Sequence, residues 1–401
     1  MQSKNLKILS YGAMAAVIVM MVAGTVVERL HGAAAAQAVY HHPVFLAMWA
    51  VVAIAGMALL LRGGAGRRPA VLALHVALVL MLAGALVTHL SGENGRIHLR
   101  TGEAVASFAR ADGSMAALPF QVGLESFDIE YYPGSRRPSD YVSVVTFDGE
   151  PVTISMNHIG KRGGYRFYQS DYDDDGAGTV LSVNHDPWGV GITYAGYLLL
   201  LLSMIAYLFE KDSAWRQVRR SLRPHAEPVR TRSRWPLVLT LSGIALLGLW
   251  LLKVLPKGPV MPVLRSPLLV VHVVPIIASY TLFALMAVLG VIGLLLPADK
   301  SERLQKVERV ILLPAVFLLT FGTFLGAVWA NISWGNYWTW DPKETWALAT
   351  LLIYAFGLHG ASLKLFRRPR FFHVFCVLAF LAVLVTYFGV NLFLGGMHSY
   401  A

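Results

Sequence analysis

The sequence predicts an all-α polytopic membrane protein of about nine transmembrane helices, interrupted by one small extracytoplasmic β-rich domain. Three observations predict it. Hydrophobic residues make up 56% of the 401 positions and charged ones only 14%, with a mean hydropathy of +0.56. The apolar residues gather in runs of about 20, the length an α-helix needs to cross a hydrocarbon core of roughly 30 Å. One stretch, 91–187, abandons that pattern for polar and apolar alternation bounded by Gly, Pro and Asp.

The first run, 8–27, follows Lys4 and Lys7. Ala33 to Ala38 has the small-residue look of a signal-peptidase site, but the run exceeds the roughly 7–15 residues of a signal-peptide core, so a retained helix is expected. Runs at 43–61 and 69–90 flank Arg62, Arg67 and Arg68, which mark the cytoplasmic side. Within 91–187, Phe120-Gln121-Val122-Gly123-Leu124 and Tyr141-Val142-Ser143-Val144-Val145-Thr146 read as strands. Asp171 to Asp175 lacks the spacing and closing Glu of an EF-hand, and a solvated turn is expected there. The chain re-enters at Asp186-Pro187-Trp188 and spans to 209; residues 211–234 then carry the densest run of arginines. Further spans fall at 235–252, 267–296, 310–330, 343–363 and 371–394, with basic loops on alternate sides. The division is thus 1–90, N-terminal transmembrane helices; 91–187, periplasmic β-rich domain; 188–234, a helix and basic cytoplasmic loop; and 235–401, a second transmembrane domain. The N-terminus lies in the cytoplasm and the C-terminus outside.

The net charge of +11 raises the question of nucleic acid, but the basic residues occupy short loops between apolar runs, where they set topology, and no nucleic-acid motif accompanies them. Cys376 is the sole cysteine. That excludes an internal disulfide and a cysteine-based metal cluster, and leaves any thiol chemistry to a partner.

The chain concentrates its chemistry in Trp334-Gly335-Asn336-Tyr337-Trp338-Thr339-Trp340-Asp341-Pro342-Lys343-Glu344-Thr345-Trp346. Five of the ten tryptophans lie between Trp329 and Trp346, more than an interfacial aromatic belt requires. Asp341 suits the N-cap of the following helix, Pro342 its first position, and Glu344 the capping-box position.

Histidines are the other signal. His75, His272 and His359 lie within spans nearly free of other ionisable groups, where an ionisable side chain is costly and usually functional. His75 is six positions into its helix, roughly 9 Å, and His359 sixteen positions after Lys343, roughly 24 Å from the other face, so both fall near the cytoplasmic side. His272 lies roughly 7.5 Å from the outer face, and His398 just beyond the last span. Two imidazoles from different helices at one level are what haem iron requires for ligation from both faces; a hydrogen bond to a neighbouring helix is the other use of a membrane histidine. His373 is expected to snorkel or cap, and His31, His41, His42, His89 and His98 to be ordinary solvated residues of the outer side.

The order WGNYWTWDPKETW resembles the WWD loop of the cytochrome c biogenesis proteins that handle haem, the CcsA, CcmC and CcmF group. Ser266-Pro267-Leu268-Leu269-Val270-Val271-His272-Val273 is similar to the CcsA helix carrying an external haem ligand, Gly357-Leu358-His359 to its transmembrane histidine, and Gly396-Met397-His398-Ser399-Tyr400 to its closing GLHSY, with Met397 the one departure. Leu74-His75-Val76-Ala77-Leu78 and the exit Gly92 to Arg100 resemble the third helix of the ResB/CcsB partner, and Asp186-Pro187-Trp188 its last span. The whole resembles a compact CcsB–CcsA (ResB–ResC) fusion of system II, with an unusually short extracytoplasmic domain.

That resemblance implies a cytochrome c haem lyase in the bacterial cytoplasmic membrane, with its WWD loop and C-terminus in the periplasm. Haem b is both substrate and bound ligand: His75 and His359 ligate the iron during passage, and His272 and His398 at the exit. Trp334, Trp338, Trp340 and Asp341 orient the macrocycle for thioether attachment to the Cys-X-X-Cys-His of an apocytochrome c, whose thiols a reducing partner protein maintains. Lys257 or Arg265 would meet the haem propionates. A haem exporter without covalent attachment and a b-type electron-transfer cytochrome use similar features; the loop argues against the latter, and the scarcity of paired charges in the spans argues against small-solute transport.

Overall fold

The computed structural model describes residues 2–156, 158–210, 213, 216, 220, 267–360 and 362–394. The expected span 235–252, most of the arginine-rich stretch before it, Lys253, Lys257, Arg265 and His398 lie outside the described residues.

The N-terminal part comprises α1 (Gln2–His31), α2 (Ala33–Tyr40), α3 (Pro43–Arg62) and α4 (Pro69–Ser91); α5 (Gly189–Phe209) follows the sheet. The C-terminal part comprises α6 (Pro267–Leu295), α7 (Ala298–Trp334), α8 (Pro342–Leu358) and α9 (Pro369–Leu384), which continues as a π-helix over Val385–Leu394. Seven stretches among the described residues are long and apolar enough to cross a membrane: α1, α3, α4, α5, α6, α7, and α9 with its π extension. The 17 residues of α8 reach about 25 Å. Proline opens α3, α4, α6, α8 and α9, at the position where its missing N–H costs nothing.

Several elements depart from expectation. The Ala-rich stretch that resembles a cleavage site is the helix α2, folded back on α1 so that Ala36 and Tyr40 are buried. The span expected at 310–330 belongs to a 37-residue helix; its charged first turns lower the hydropathy without breaking the helix. His373, expected to snorkel or cap, is fully buried, its Nδ1 2.9 Å from the equally buried Glu308 carboxylate. Its Nε2 meets the Ser301 hydroxyl at 3.0 Å, and Gly293 of α6 leaves space for the ring.

The strands β1 (Glu93–Arg100), β2 (Ala104–Arg110), β3 (Met115–Tyr131), β4 (Pro138–Phe147), β5 (Glu150–Ile154), β6 (Gly160–Arg162), β7 (Tyr165–Tyr172) and β8 (Gly178–His185) form one antiparallel sheet in the order β5-β4-β3-β2-β1-β8-β7-β6. Register shifts in β3 bend it. The sheet curls around a core that includes Phe108, Phe120, Phe147 and Phe167, and Ser143 of β4 donates across it to Gln169 of β7 at 2.7 Å. The acids at the β7–β8 turn are ion-paired rather than merely solvated: Asp173 holds Arg100 at 3.0 Å and His98 at 2.9 Å, and Asp175 holds Arg100 at 2.5 Å.

The sheet sits between α4 and α5. Asp186 fixes the re-entry, accepting from Gly189 N at 2.7 Å, Val190 N at 3.1 Å and the Thr88 hydroxyl at 2.6 Å. Gly84, Gly189 and Gly196 let α4 and α5 approach closely, the device membrane helices use where lipid gives apolar side chains no reason to prefer each other.

Candidate haem-handling site

The tryptophan loop begins where α7 ends. Gly335 terminates the helix in the left-handed region, at φ 86°, and its N–H donates to the Asn331 carbonyl at 3.2 Å. The Asn331 side chain closes the same turn from the other side, its Nδ2 donating to the Gly335 carbonyl at 3.0 Å. Asn331 is itself gripped from the sheet and from α5. Its Oδ1 accepts from Arg166 and from the Tyr194 hydroxyl, each at 3.0 Å, and its carbonyl accepts from Tyr168 at 3.3 Å.

Two further ties hold the loop. Tyr337 donates to Thr88 at 3.0 Å, which in turn donates to Asp186; burial raises the Tyr337 phenol above its ordinary pKa, so it stays a donor. Gln37 of α2 donates to the Thr339 carbonyl at 3.1 Å. Trp340 adopts φ 61°, a conformation that costs a non-glycine residue about 1–2 kcal/mol. Three contacts sustain it: Tyr40 stacks on the indole at 4.7 Å, Phe45 meets it edge-on at 5.3 Å, and Thr345 donates to its carbonyl at 3.1 Å. Burial pushes the Tyr40 phenol up to about 12.

Asp341 accepts from Lys343 N at 2.9 Å and so starts α8 as its sequence predicts. Glu344 reaches further back than a capping box, accepting from the Thr339 N–H at 2.9 Å and its hydroxyl at 3.1 Å. The residues expected to orient a macrocycle fall into two edge-on indole pairs beside the Asp341 cap. Trp338 meets Trp340 edge-on at 5.8 Å, Trp334 meets Trp329 edge-on at 5.2 Å, and all four indoles are half-buried or buried. Lys343 donates to Asn391 at 2.8 Å, tying the loop's helix to the π segment that leads toward residue 398.

Gly335 tests this construction. A Cβ there would lie 2.6 Å from the Tyr168 ring, in a conformation that disfavours it. Gly335→Ala is expected to cost about 2 kcal/mol or more, read as a lowered melting temperature in detergent, whereas Ala at the exposed neighbour Asn336 should stay within about 0.5 kcal/mol.

The histidines fall at two levels. At the end away from the sheet, the rings of His75 (α4) and His359 (the C-cap of α8) face each other at 6.1 Å with planes 86° apart. Each Nδ1 donates to the carbonyl one turn back, His75 to Val71 at 2.8 Å and His359 to Ala355 at 2.7 Å. A carbonyl only accepts, so Nδ1 carries the proton and Nε2 keeps the lone pair a metal needs. A metal bonded at about 2 Å to two opposed Nε2 atoms spaces the ring centroids about 6 Å apart. At the sheet end, His272 of α6 lies over Gly326 and stacks on Trp329 at 5.2 Å, its Nδ1 likewise donating one turn back, to Leu268 at 3.0 Å. Its expected counterpart, His398, is outside the described residues.

Four histidines expected to be solvated and partnerless have partners. His98 pairs with Asp173; His42 caps α3, accepting from Val44 N at 3.2 Å; His41 and His89 lie ring to ring at 5.3 Å. Burial and the neighbouring His89 hold the His41 pKa below its ordinary value. Asn331 was not singled out in the sequence, although an Asn four residues before a helix-ending Gly is a readable signal; its partners Arg166, Tyr168 and Tyr194 are too distant in sequence to be.

The family comparisons divide the chain where the structure does. The profile of the Cytochrome C assembly protein family matches residues 227–398, and that of the ResB-like family matches residues 48–181. The chain thus joins a ResB-like region to a cytochrome c assembly region, the make-up of a system II cytochrome c biogenesis fusion. Protein NrfI of Wolinella succinogenes is 42% identical over 177 residues, 41% of this fusion and 19% of NrfI. The cytochrome c biogenesis protein CcsA of Lactuca sativa is 45% identical over 105 residues, 25% of the fusion and 32% of its own length; that of Chlamydomonas reinhardtii is 39% identical over 156 residues, 36% and 43%. The matches thus span less than half the length of these relatives. Its seven long apolar helices and its match to the cytochrome c assembly family mark it as a membrane protein related to cytochrome c biogenesis proteins.

Proposed function

We propose that the fusion is a cytochrome c haem lyase of the bacterial cytoplasmic membrane. It takes haem b between His75 and His359 at the cytoplasmic side, passes it outward, and holds it at the tryptophan loop on the periplasmic side. One observation carries the reading: the two imidazoles come from opposite halves of the fusion, face each other at 6.1 Å, and have both Nδ1 atoms committed to backbone carbonyls. A histidine serving only to bridge helices would spend its hydrogen bond on the neighbouring helix, not on its own.

At the exit, His272 and His398 ligate iron, while Trp334, Trp338 and Trp340 present flat apolar faces to the macrocycle and Asp341 fixes the loop. The buried indole N–H groups of Trp329 and Trp338 find no acceptor among the described residues, and the haem propionates are acceptors of the required kind. Attachment is an addition: each thiol sulfur of the apocytochrome's Cys-X-X-Cys-His bonds to a vinyl carbon, its proton goes to the adjacent carbon, and no electrons are lost. The thiols must therefore arrive reduced, the task of a reducing partner protein. The fusion contributes proximity and orientation, the cofactor the reactive bond.

Co-expression with an apocytochrome c in a host lacking its own maturation system tests this. Haem that stays on the cytochrome through denaturation is expected with the parent, and its loss is expected with His272→Ala, His398→Ala and Trp338→Ala. Haem delivered to the periplasm without a surviving bond would make the protein an exporter instead.

A further inference from the structure

Two open clefts along α9 stand outside every role assigned above, and they share a residue. The first, of about 470 Å³, lies between the α6–α7 corner and the start of α9. Leu296, Leu365 and Phe371 give it apolar walls, and the charged residues that line it are Arg368 and Arg370. Both arginines are exposed, and among the described residues neither guanidinium has an acidic partner. The second, of about 450 Å³, starts from the same Phe371 and follows α9 to Val385, walled by Val22 of α1 and by Trp346 and Ile353 of α8. Its lining carries no charged side chain.

Their continuity says which ligand. Phe371, Val374, Leu378, Leu381 and Val385 recur at intervals of three and four, so the groove is one strip of the α9 face. Fourteen residues of helix make that strip about 21 Å long, against about 15 Å for the hydrocarbon of one leaflet. Basic residues at helix ends are expected from topology alone, but topology does not require them to line a cleft with apolar walls that opens into such a groove. Unpaired cations at the head of an apolar channel complement an anionic head on an extended apolar tail. A porphyrin also carries anions, but it is a rigid disc, and a long strip one helix face wide suits a flexible chain.

We propose that the two clefts form one site for an anionic phospholipid of the leaflet that meets the His75–His359 end of the protein. The phosphate sits on Arg368 and Arg370, whose guanidinium groups match its oxygens in pairs, and one acyl chain runs past Phe371 into the groove. Because Val22 and Trp346 form the groove with α9, the bound chain packs against α1 and α8 as well. The site does not depend on the haem reading.

Native mass spectrometry of the full-length protein, exchanged from mild detergent into mixed vesicles of phosphatidylglycerol and phosphatidylcholine, tests it. The parent is expected to retain phosphatidylglycerol about tenfold over phosphatidylcholine. Arg368→Gln with Arg370→Gln removes that preference, whereas Arg62→Gln with Arg67→Gln, which changes exposed arginines outside both clefts, keeps it. Leu378→Trp fills the groove at a side chain that is 58% exposed and lowers retention of both lipids. A preference that survives the Arg368 and Arg370 substitutions, or that falls equally with the Arg62 and Arg67 substitutions, reports diffuse positive charge and overturns the site. Binding of inorganic phosphate at Arg368 and Arg370 with lipid retention unchanged by Leu378→Trp makes it a free-anion site and overturns the lipid assignment. Haemin held in place of phosphatidylglycerol, and released by the same double substitution, overturns it as well.

Discussion

His75→Ala and His359→Ala are each expected to abolish haem retention at the inner level. Loss of an outer-shell partner alone lowers metal affinity about 10–100-fold, and these substitutions remove a ligand, so the loss should exceed that range. The surviving imidazole differs between the two variants, yet the lesion is the same, because ligation needs both halves of the fusion. Added imidazole fills the space the missing ring leaves and should restore the bound-haem spectrum in both. Restoration in neither would mean that the rings hold the helices together rather than the iron, since a free imidazole cannot replace a packing contact.

The largest loss of stability is expected from the buried pair of α7 and α9. Glu308 and His373 are inaccessible to solvent, 2.9 Å apart, and removal of one leaves the other without its main partner in a site that excludes water. Glu308→Ala and His373→Ala should each cost about 3–5 kcal/mol. The double variant should lie far closer to either single than to their sum, because once one partner is gone the second has little left to lose. Strict additivity in thermal unfolding would show that the two act independently. This pair is also a hydrogen-bonded stop, with Ser301 on the other imidazole nitrogen, which pins the charged start of α7 against α9.

What the sequence discloses here follows from range. Helix starts are local, so the prolines at 43, 69, 267, 342 and 369 and the Asp341 cap read directly. Depth is local too: counting from span ends places His75 and His359 at one level, and the structure has their rings at 6.1 Å. Strand alternation reads the sheet but not its closure, which depends on Ser143 meeting Gln169 across the core. The unread features are long-range or compositionally masked. Glu308 and His373 are 65 residues apart, and no periodicity links them. The π-helix over Val385–Leu394 has the composition of any apolar helix. The strain at Trp340 is invisible without Tyr40 and Phe45, whose rings come from a distant segment to hold it. Asn331 shows the same limit: its turn with Gly335 is local, whereas its grip by Arg166, Tyr168 and Tyr194 is what ties the sheet and α5 to the loop.

That coupling bears on why two families share one chain. The loop belongs to the CcsA-like half, but the groups that hold it at Asn331, Tyr337 and Thr339 come from the sheet, α5, α4 and α2. Both halves thus contribute to the shape of the loop, and each supplies one histidine of the inner pair.

Electron paramagnetic resonance of the purified protein after haem is supplied tests the central claim most directly, because it reports both the ligands of ferric iron and the angle between them. Imidazole planes at 86° predict the highly anisotropic low-spin signal of perpendicular axial histidines, absent from His75→Ala and His359→Ala. A high-spin signal from the parent, or the same highly anisotropic signal surviving either substitution, would contradict the account.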